Sequence, residues 1–361
     1  MMRFLFAFIL LVHGLIHLLG YAKAFKLAEV SQLAQPISKP AGAFWLLSAV
    51  LFVAATALFL LKKDVWWMPA VLAVLLSQVL IFTSWHDARF GTIANVIALA
   101  VILVAYGDWQ FKRMVDGELK SFLAGKSADN ALLTREKIAT LPVAVQQWLE
   151  RSKAVGKPVV HTVHLKQTGE MRTTPDGKWM PVTAEQYFNA DQPGFIWIAD
   201  LQMAPLIHMA ARDQYVGGKG HMLVKALSLF PVADATGKET DQGSMLRYLA
   251  EITWFPSAAF NPCIVWEGID AHSAKATMTN GGISASGIFR FTNDGDILSF
   301  EADRYYNRKE GATLEKWYIE NKKYGEVGEF RIPVASEVTW KLKPGDFTWF
   351  KLQITEVEYN R

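Results

Sequence analysis

Four apolar stretches, at roughly residues 3 to 22, 43 to 62, 65 to 84 and 90 to 107, crowd the start of the chain, and none recurs later. Each approaches the roughly 20 residues that a helix needs to cross hydrocarbon. This excludes a wholly water-facing protein and predicts a four-helix transmembrane unit over residues 1 to 107. The first stretch is longer than the apolar core of a secretory signal and three more spans follow, so it reads as retained. A hydrophobic content of 51% and a positive mean hydropathy agree with a membrane part.

Four spans return the chain to the side on which it began. That side carries Arg3, Lys62, Lys63, Lys112, Arg113, Lys120 and Lys126, whereas the other carries Lys23, Lys26, Lys39 and Arg89. The positive-inside rule therefore leans towards a cytoplasmic C-terminal region. The net charge of +3 is spread along the chain and gives no basis for a nucleic-acid partner. A single cysteine, Cys263, excludes an internal disulfide and a cysteine-based zinc cluster.

Residues 108 to 156 have a helical pattern. "DWQFKRMVDGELKSFLAG" reads as an amphipathic helix near the headgroups, "KSADN" as a linker, and Thr134 and Pro142 as starts of further helices that end at Gly156. From residue 157 the period becomes two, in segments separated by Gly, Pro or Asp. "DQGSMLRYLAEITWF", residues 241 to 255, interrupts them as a helix that starts at an Asp241 cap and stops before Pro256. Eleven or twelve strands with one inserted helix predict an α+β chain: over residues 157 to 361, a curved antiparallel sheet or open barrel covered by that helix. Such a fold has room for an apolar cavity or an aromatic core.

The segments "LPVAVQQWL" leading to "VGK", "YVGGKGHMLVKAL", "RYLAEITWFPSA", "VWEGIDAHSAKATM" and "FRIPVASEVTW" resemble an uncharacterised family of bacterial membrane proteins, defined as a domain of unknown function. They cover most of residues 135 to 361, and "RYLAEITWFP" is the most specific. In pattern the C-terminal domain also resembles lipoprotein carriers of the LolA and LolB type. That resemblance implies a curved sheet closed by helices around acyl chains, and a periplasmic setting in place of the cytoplasmic one.

His13 and His17, four apart in "HGLIH", share one face of the first span. His86 and Asp87 in "SWHDARF" end the third span on the same membrane side, so the four residues form a candidate metal or proton-relay constellation. The competing reading is that each histidine bonds to a neighbouring helix. In the β region, Arg247 and Glu251 share a helix face, either as a surface pair or as ligand-binding residues, with Glu251 and Arg304 the polar handle. On "FEADRYY", Phe300, Ala302 and Arg304 alternate onto one face, which sets a cation on an apolar strand surface. Arg304 is expected either to pair with Glu251 or to receive an acidic head group. Trp254, Trp266, Trp317 and Trp340 are the candidate cavity lining.

"GGKGH", residues 217 to 221, lacks phosphate-loop spacing and reads as a turn. No nucleophile elbow is present, Cys263 has no evident base, and His161 and His164 fall on opposite faces of one strand. No motif assigns a reaction or names a cofactor. The reading is a multi-pass protein of the bacterial inner membrane, in contact with membrane lipids, whose β domain binds a hydrophobic or lipid-like ligand without catalysis. A membrane enzyme or redox component built on the histidines, and a sensor or protein-interaction scaffold, stand as alternatives.

Overall fold

A computed structural model of the chain describes residues 2–124, 130–205, 207–308 and 311–360. Lys126 and the next three residues of the expected "KSADN" linker lie outside the described residues. The chain divides into two compact units, Met1–Arg113 and Met114–Arg361.

The first unit contains α1 (Met2–Ile16), α2 (Leu18–Ala24), α3 (Lys39–Leu60), α4 (Trp67–Thr83), the short α5 (Trp85–Ala88) and the start of α6 (Gly91–Phe122). Among the described residues, three helices are long and apolar enough to cross a membrane: Met2–Ala24, which takes in α1 and α2, then α3 and α6; α4, with 17 residues, is shorter. At the start of α3 the Ser38 hydroxyl accepts the Ala41 N–H and Pro40 occupies the first turn, which satisfies a terminal donor and presets the backbone angle. The helices approach closely through small residues. A Cβ on Gly14 would lie 2.6 Å from the Phe52 Cβ, and one on Gly20 would lie 2.2 Å from the Trp45 ring. α6 runs unbroken through the junction expected after residue 107.

In the second unit, α7 (Arg135–Ile138) and α8 (Val143–Arg151) precede β1 (Thr162–Met171), β2 (Met180–Asn189), β3 (Gly194–Ala204), β4 (Ile207–Val216), β5 (Lys219–Ala226) and β6 (Phe230–Ala235). Next come α9 (Lys238–Glu251) and two 3-10 turns, Ile252–Trp254 and Pro256–Phe260. Then follow β7 (Ile264–Asp270), β8 (Ser273–Asn280), β9 (Ile283–Phe291), β10 (Ile297–Arg308), β11 (Gly311–Val327), β12 (Phe330–Leu342) and β13 (Gly345–Tyr359). These strands form one antiparallel sheet in the order β6-β5-β4-β3-β2-β1-β13-β12-β11-β10-β9-β8-β7. The chain thus starts mid-sheet, runs out to one edge, crosses by α9 to the other edge, and returns to the middle.

The thirteenth strand, beyond the eleven or twelve expected, is β6. Its Pro231 reads as a break in the sequence but sits in an edge strand, where proline is tolerated because one side of the backbone needs no partner. The inserted helix also begins earlier than expected, at Lys238, and Asp241 is not its cap. Asp241 instead accepts the Gly220 N–H at 2.8 Å and the Lys219 ammonium at 2.9 Å, which ties α9 to β5.

The sheet curls into a half-barrel around α9. Met245, Leu246, Tyr248 and Leu249 of α9 are fully buried, each apolar side chain of this size being worth about 1.5–3 kcal/mol of burial. α8 inserts Trp148 beside Trp266, Phe289 and Phe291. The "GG" of the β4–β5 hairpin, Gly217 and Gly218, has φ of 59° and 78°, as do Gly281 and Gly282 of the β8–β9 hairpin. These are the left-handed angles of two-residue hairpin turns. The two tips meet: a Cβ on Gly218 would lie 2.6 Å from the Gly281 Cα. Gly218→Ala therefore strains a left-handed residue and forces the tips apart. It is expected to lower stability by more than about 1 kcal/mol, read as a lower thermal midpoint, while Gly217→Ala, which meets no neighbouring atom, loses less.

Candidate functional site

Between the sheet and α9 a cavity of about 260 Å3 remains. An apolar void of about 150 Å3 already stays dry and admits benzene, so this one has room for a hydrophobic occupant. Five of the chain's 11 methionines, Met171, Met180, Met203, Met209 and Met222, lie on its wall. Unbranched and polarisable, methionine adapts to occupants of varied shape. Leu201, Val338 and Phe350 add rigid apolar surface.

One part of the wall is polar. Arg247, on α9, donates from Nε to Glu251 Oε1 at 2.8 Å, from Nη1 to Asp213 Oδ2 at 2.7 Å and from Nη2 to Gln186 Oε1 at 3.3 Å. Gln186 Nε2 donates to Glu251 Oε2 at 2.7 Å, Gln167 Nε2 to Gln186 Oε1 at 3.1 Å, and Trp197 Nε1 to Gln167 Oε1 at 3.2 Å. The guanidinium also lies over the rings of Phe195 and Trp197, at 4.8 and 4.9 Å. Burial raises the Glu251 carboxyl above the usual carboxylate range against the opposing pull of Arg247. Arg247 and Glu251 are thus a buried pair, with side chains 12% and 10% exposed, and not the ordinary helix-face pair the sequence suggests.

Arg304 of β10 stands apart. Its guanidinium lies 4.5 Å from the Trp317 ring and 5.9 Å from that of Trp340. It reaches α9 at Gly243, where a Cβ would come within 2.9 Å of its Nε. The expected pairing with Glu251 is not made, because both Glu251 oxygens are engaged by Arg247 and Gln186. Burial lowers the Arg304 pKa to about 10, so it remains charged at neutral pH.

Of the four tryptophans singled out, Trp254 and Trp317 line the cavity. Trp340 borders an adjoining, more open hollow that also reaches Arg304. Trp266 packs on Trp148 and Phe289 and donates to the Ala259 carbonyl at 2.9 Å, away from the cavity wall. Trp197, Trp349, Asp213 and the two glutamines were not foreseen. The signal existed: Asp213 alternates with Met209 and Ala211, and Gln186 with Ala184 and Phe188, so each sets a polar group on an apolar strand face.

In the first unit, His13 Nε2 lies 2.9 Å from Asn95 Oδ1 and His17 Nε2 2.9 Å from Ser77 Oγ, while His17 Nδ1 donates to the His13 carbonyl at 2.8 Å. Asn95 Nδ2 donates onward to Ser77 and Gln78, each at 3.0 Å. His86 is instead largely exposed, 2.9 Å from Asp87, whose other oxygen takes the Ala34 N–H. His13, His17, His86 and Asp87 therefore do not assemble, and among the described residues no group of three His, Cys, Asp or Glu is placed to hold a metal ion. Elsewhere, His161 pairs with Asp191 and His164 with Glu185. Burial pushes the Cys263 thiol up to about 11, which leaves it little thiolate at neutral pH.

Removing one member of a buried charge pair costs about 3–5 kcal/mol because its partners stay desolvated. Arg247→Met is expected to lose about that much in chemical denaturation. Asp213→Asn with Glu251→Gln in the same chain is expected to restore part of the loss, since the stranded charges are then gone.

A comparison with curated proteins finds no match. Among solved structures, a DUF1329 family protein from Desulfovibrio piger is 9% identical with a TM-score of 0.37, covering 61% of this chain and 94% of that one. A putative outer membrane lipoprotein-sorting protein domain from Vibrio parahaemolyticus is 8% identical with a TM-score of 0.36, covering 60% and 91%. A LolA superfamily protein from Nitrosomonas europaea is 10% identical with a TM-score of 0.36, covering 64% and 95%. Similarity this distant says nothing of what the chain binds. The model of a family of unknown function, DUF6544, matches residues 131–352, which hold every residue named above on the cavity wall. The match takes in more than half of the chain, and the protein belongs to that family.

Proposed function

We propose that the β unit binds a hydrophobic or lipid-like molecule in its cavity, without catalysis, and that the N-terminal apolar helices anchor the chain in a bacterial inner membrane. The observation that carries the binding reading is the methionine-rich cavity left open beneath α9. A core that served stability alone would gain by closing such a space, since voids forfeit packing contacts. Trp254 and Trp317 supply flat apolar walls, and Arg304, Arg247 and Glu251 form the polar end.

Anchoring is supported by an inverted pattern in the first unit. Phe8, Val79 and Ile93 are 62%, 58% and 61% exposed, while His13, His17, Ser77 and Asn95 are buried. Apolar side chains outside and hydrogen-bonded polar groups inside suit a hydrocarbon surrounding. The alternative of a metal or redox centre at the histidines is not favoured, because His13 and His17 already have partners among Ser77, Asn95 and backbone.

The test is native mass spectrometry of the full chain extracted from bacterial membranes in a non-ionic detergent. A reproducible adduct of lipid size is expected, and Ala211→Leu, which projects into the cavity from β4, is expected to lose most of it while keeping its circular dichroism spectrum. A wild-type chain that carries no adduct even after incubation with a bacterial lipid extract would refute the binding reading.

A further inference from the structure

The cavity wall presents N–H donors that no acceptor among the described residues meets. Among the described residues, no group accepts a hydrogen bond from the Arg304 guanidinium; its contacts are the faces of Trp317 and Trp340. The indole N–H groups of Trp317 and Trp349, both on the same wall, also lack acceptors. The carboxylates nearby are already held by other donors, Glu251 by Arg247 and Gln186 and Asp213 by Arg247, the Asn321 carbonyl accepts from Ser336, and the Thr253 hydroxyl on the same wall is unpartnered among the described residues. A guanidinium carries five N–H donors in a planar fork that fits two oxygens of one acid group. A buried donor left unmatched, as the two indole N–H groups are, is costly, so the wall is complementary to an occupant that brings acceptors.

Position adds direction. Arg304 borders both the inner cavity and the more open hollow of about 480 Å3 formed with Trp340, Phe347 and Ser244. It therefore stands at the neck between an apolar chamber and an opening. Gly243 of α9 keeps that place free, since a side chain there would press on the guanidinium.

We propose that the occupant is an amphiphile with an anionic oxyacid head, a carboxylate or phosphate monoester, gripped by Arg304 at the neck while its hydrocarbon lies in the methionine-lined chamber. This rests on the hydrophobic-binding reading above and narrows it to one chemical class. Arg247 is committed to the fold, with three of its five N–H donors held by Glu251, Asp213 and Gln186, so the head is assigned to Arg304.

The experiment is competition on the full chain in a non-ionic detergent, with equimolar dodecanoate, monododecyl phosphate, dodecanol and dodecylamine, the retained species being identified by native mass spectrometry. The two anionic probes are expected to be retained about tenfold or more over dodecanol, the scale of a charge-assisted hydrogen bond, and dodecylamine not at all. Arg304→Gln is expected to abolish that preference while dodecanol is still retained. Gly243→Ala, which displaces the guanidinium without removing it and adds a good helix former, is expected to weaken the preference with folding intact. Equal retention of dodecanol and dodecanoate by the wild type, or an undiminished preference in both variants, would overturn the assignment of an anionic head to Arg304 and leave hydrophobic binding standing. Retention of none of the four probes would overturn the hydrophobic-binding reading itself.

Discussion

The β unit depends on the pairing of β1 with β13, the one ladder in the sheet whose strands are not neighbours in the chain. It brings Val163 opposite Tyr359 and Gly169 opposite Leu352. Without it, residues 162 to 235 and 264 to 359 would be two separate meanders, each with an open edge and half a hollow. With it, one sheet curls far enough for the tips at Gly218 and Gly281 to touch, and α9 is enclosed. The ladder carries a register shift between Lys166 and Gln167. Bulges of this kind bend a strand and re-aim its side chains, and Gln167 links Trp197 to Gln186, which also accepts from Arg247. Of the sheet's ladders it joins the residues most distant in sequence, and so carries the largest loop-closure cost.

Inside that enclosure, two arginines meet opposite fates. Arg247 is surrounded by acceptors and holds β2, β4 and α9 together, a structural role that its place on a helix does not reveal. Arg304 lies over the indoles of Trp317 and Trp340 and, among the described residues, has no acceptor. Both are desolvated, but only the first has its desolvation offset by hydrogen bonds within the protein. That asymmetry separates a polar cluster that organises the fold from a group that remains available to an occupant.

The first unit follows the opposite solvent logic. Its packing surfaces include closely approached glycine and alanine, with Ala55, Ala70 and Ala73 fully buried, and His13, His17, Ser77 and Asn95 face inward in a connected set of bonds. Ser77 serves His13, His17 and Asn95 at once. Histidines at a spacing of four, which in isolation suggest a ligand set, here lock α1 to α4 and α6. The distinction lies in what faces them: hydroxyl and amide groups satisfy an imidazole as completely as a metal ion does.

Local pattern in the sequence was enough for the order of the elements. Apolar length set out the N-terminal helices, alternation set out the strands, and "GG" and "NDGD" set out turns, because these features depend on a few consecutive residues and their solvent. The same alternation placed Arg304 on an apolar face. The edge strand β6 escaped because Pro231 carries the same local mark at a sheet edge as at a loop. Which acid would meet which arginine, which tryptophan would face a void and which a neighbour, and whether four scattered His and Asp residues would converge were decided only by the tertiary structure. Those outcomes rest on residues far apart in the chain, such as Gln186 with Glu251 or Trp148 with Trp266, whose meeting depends on how far the sheet curls and on the β1–β13 closure.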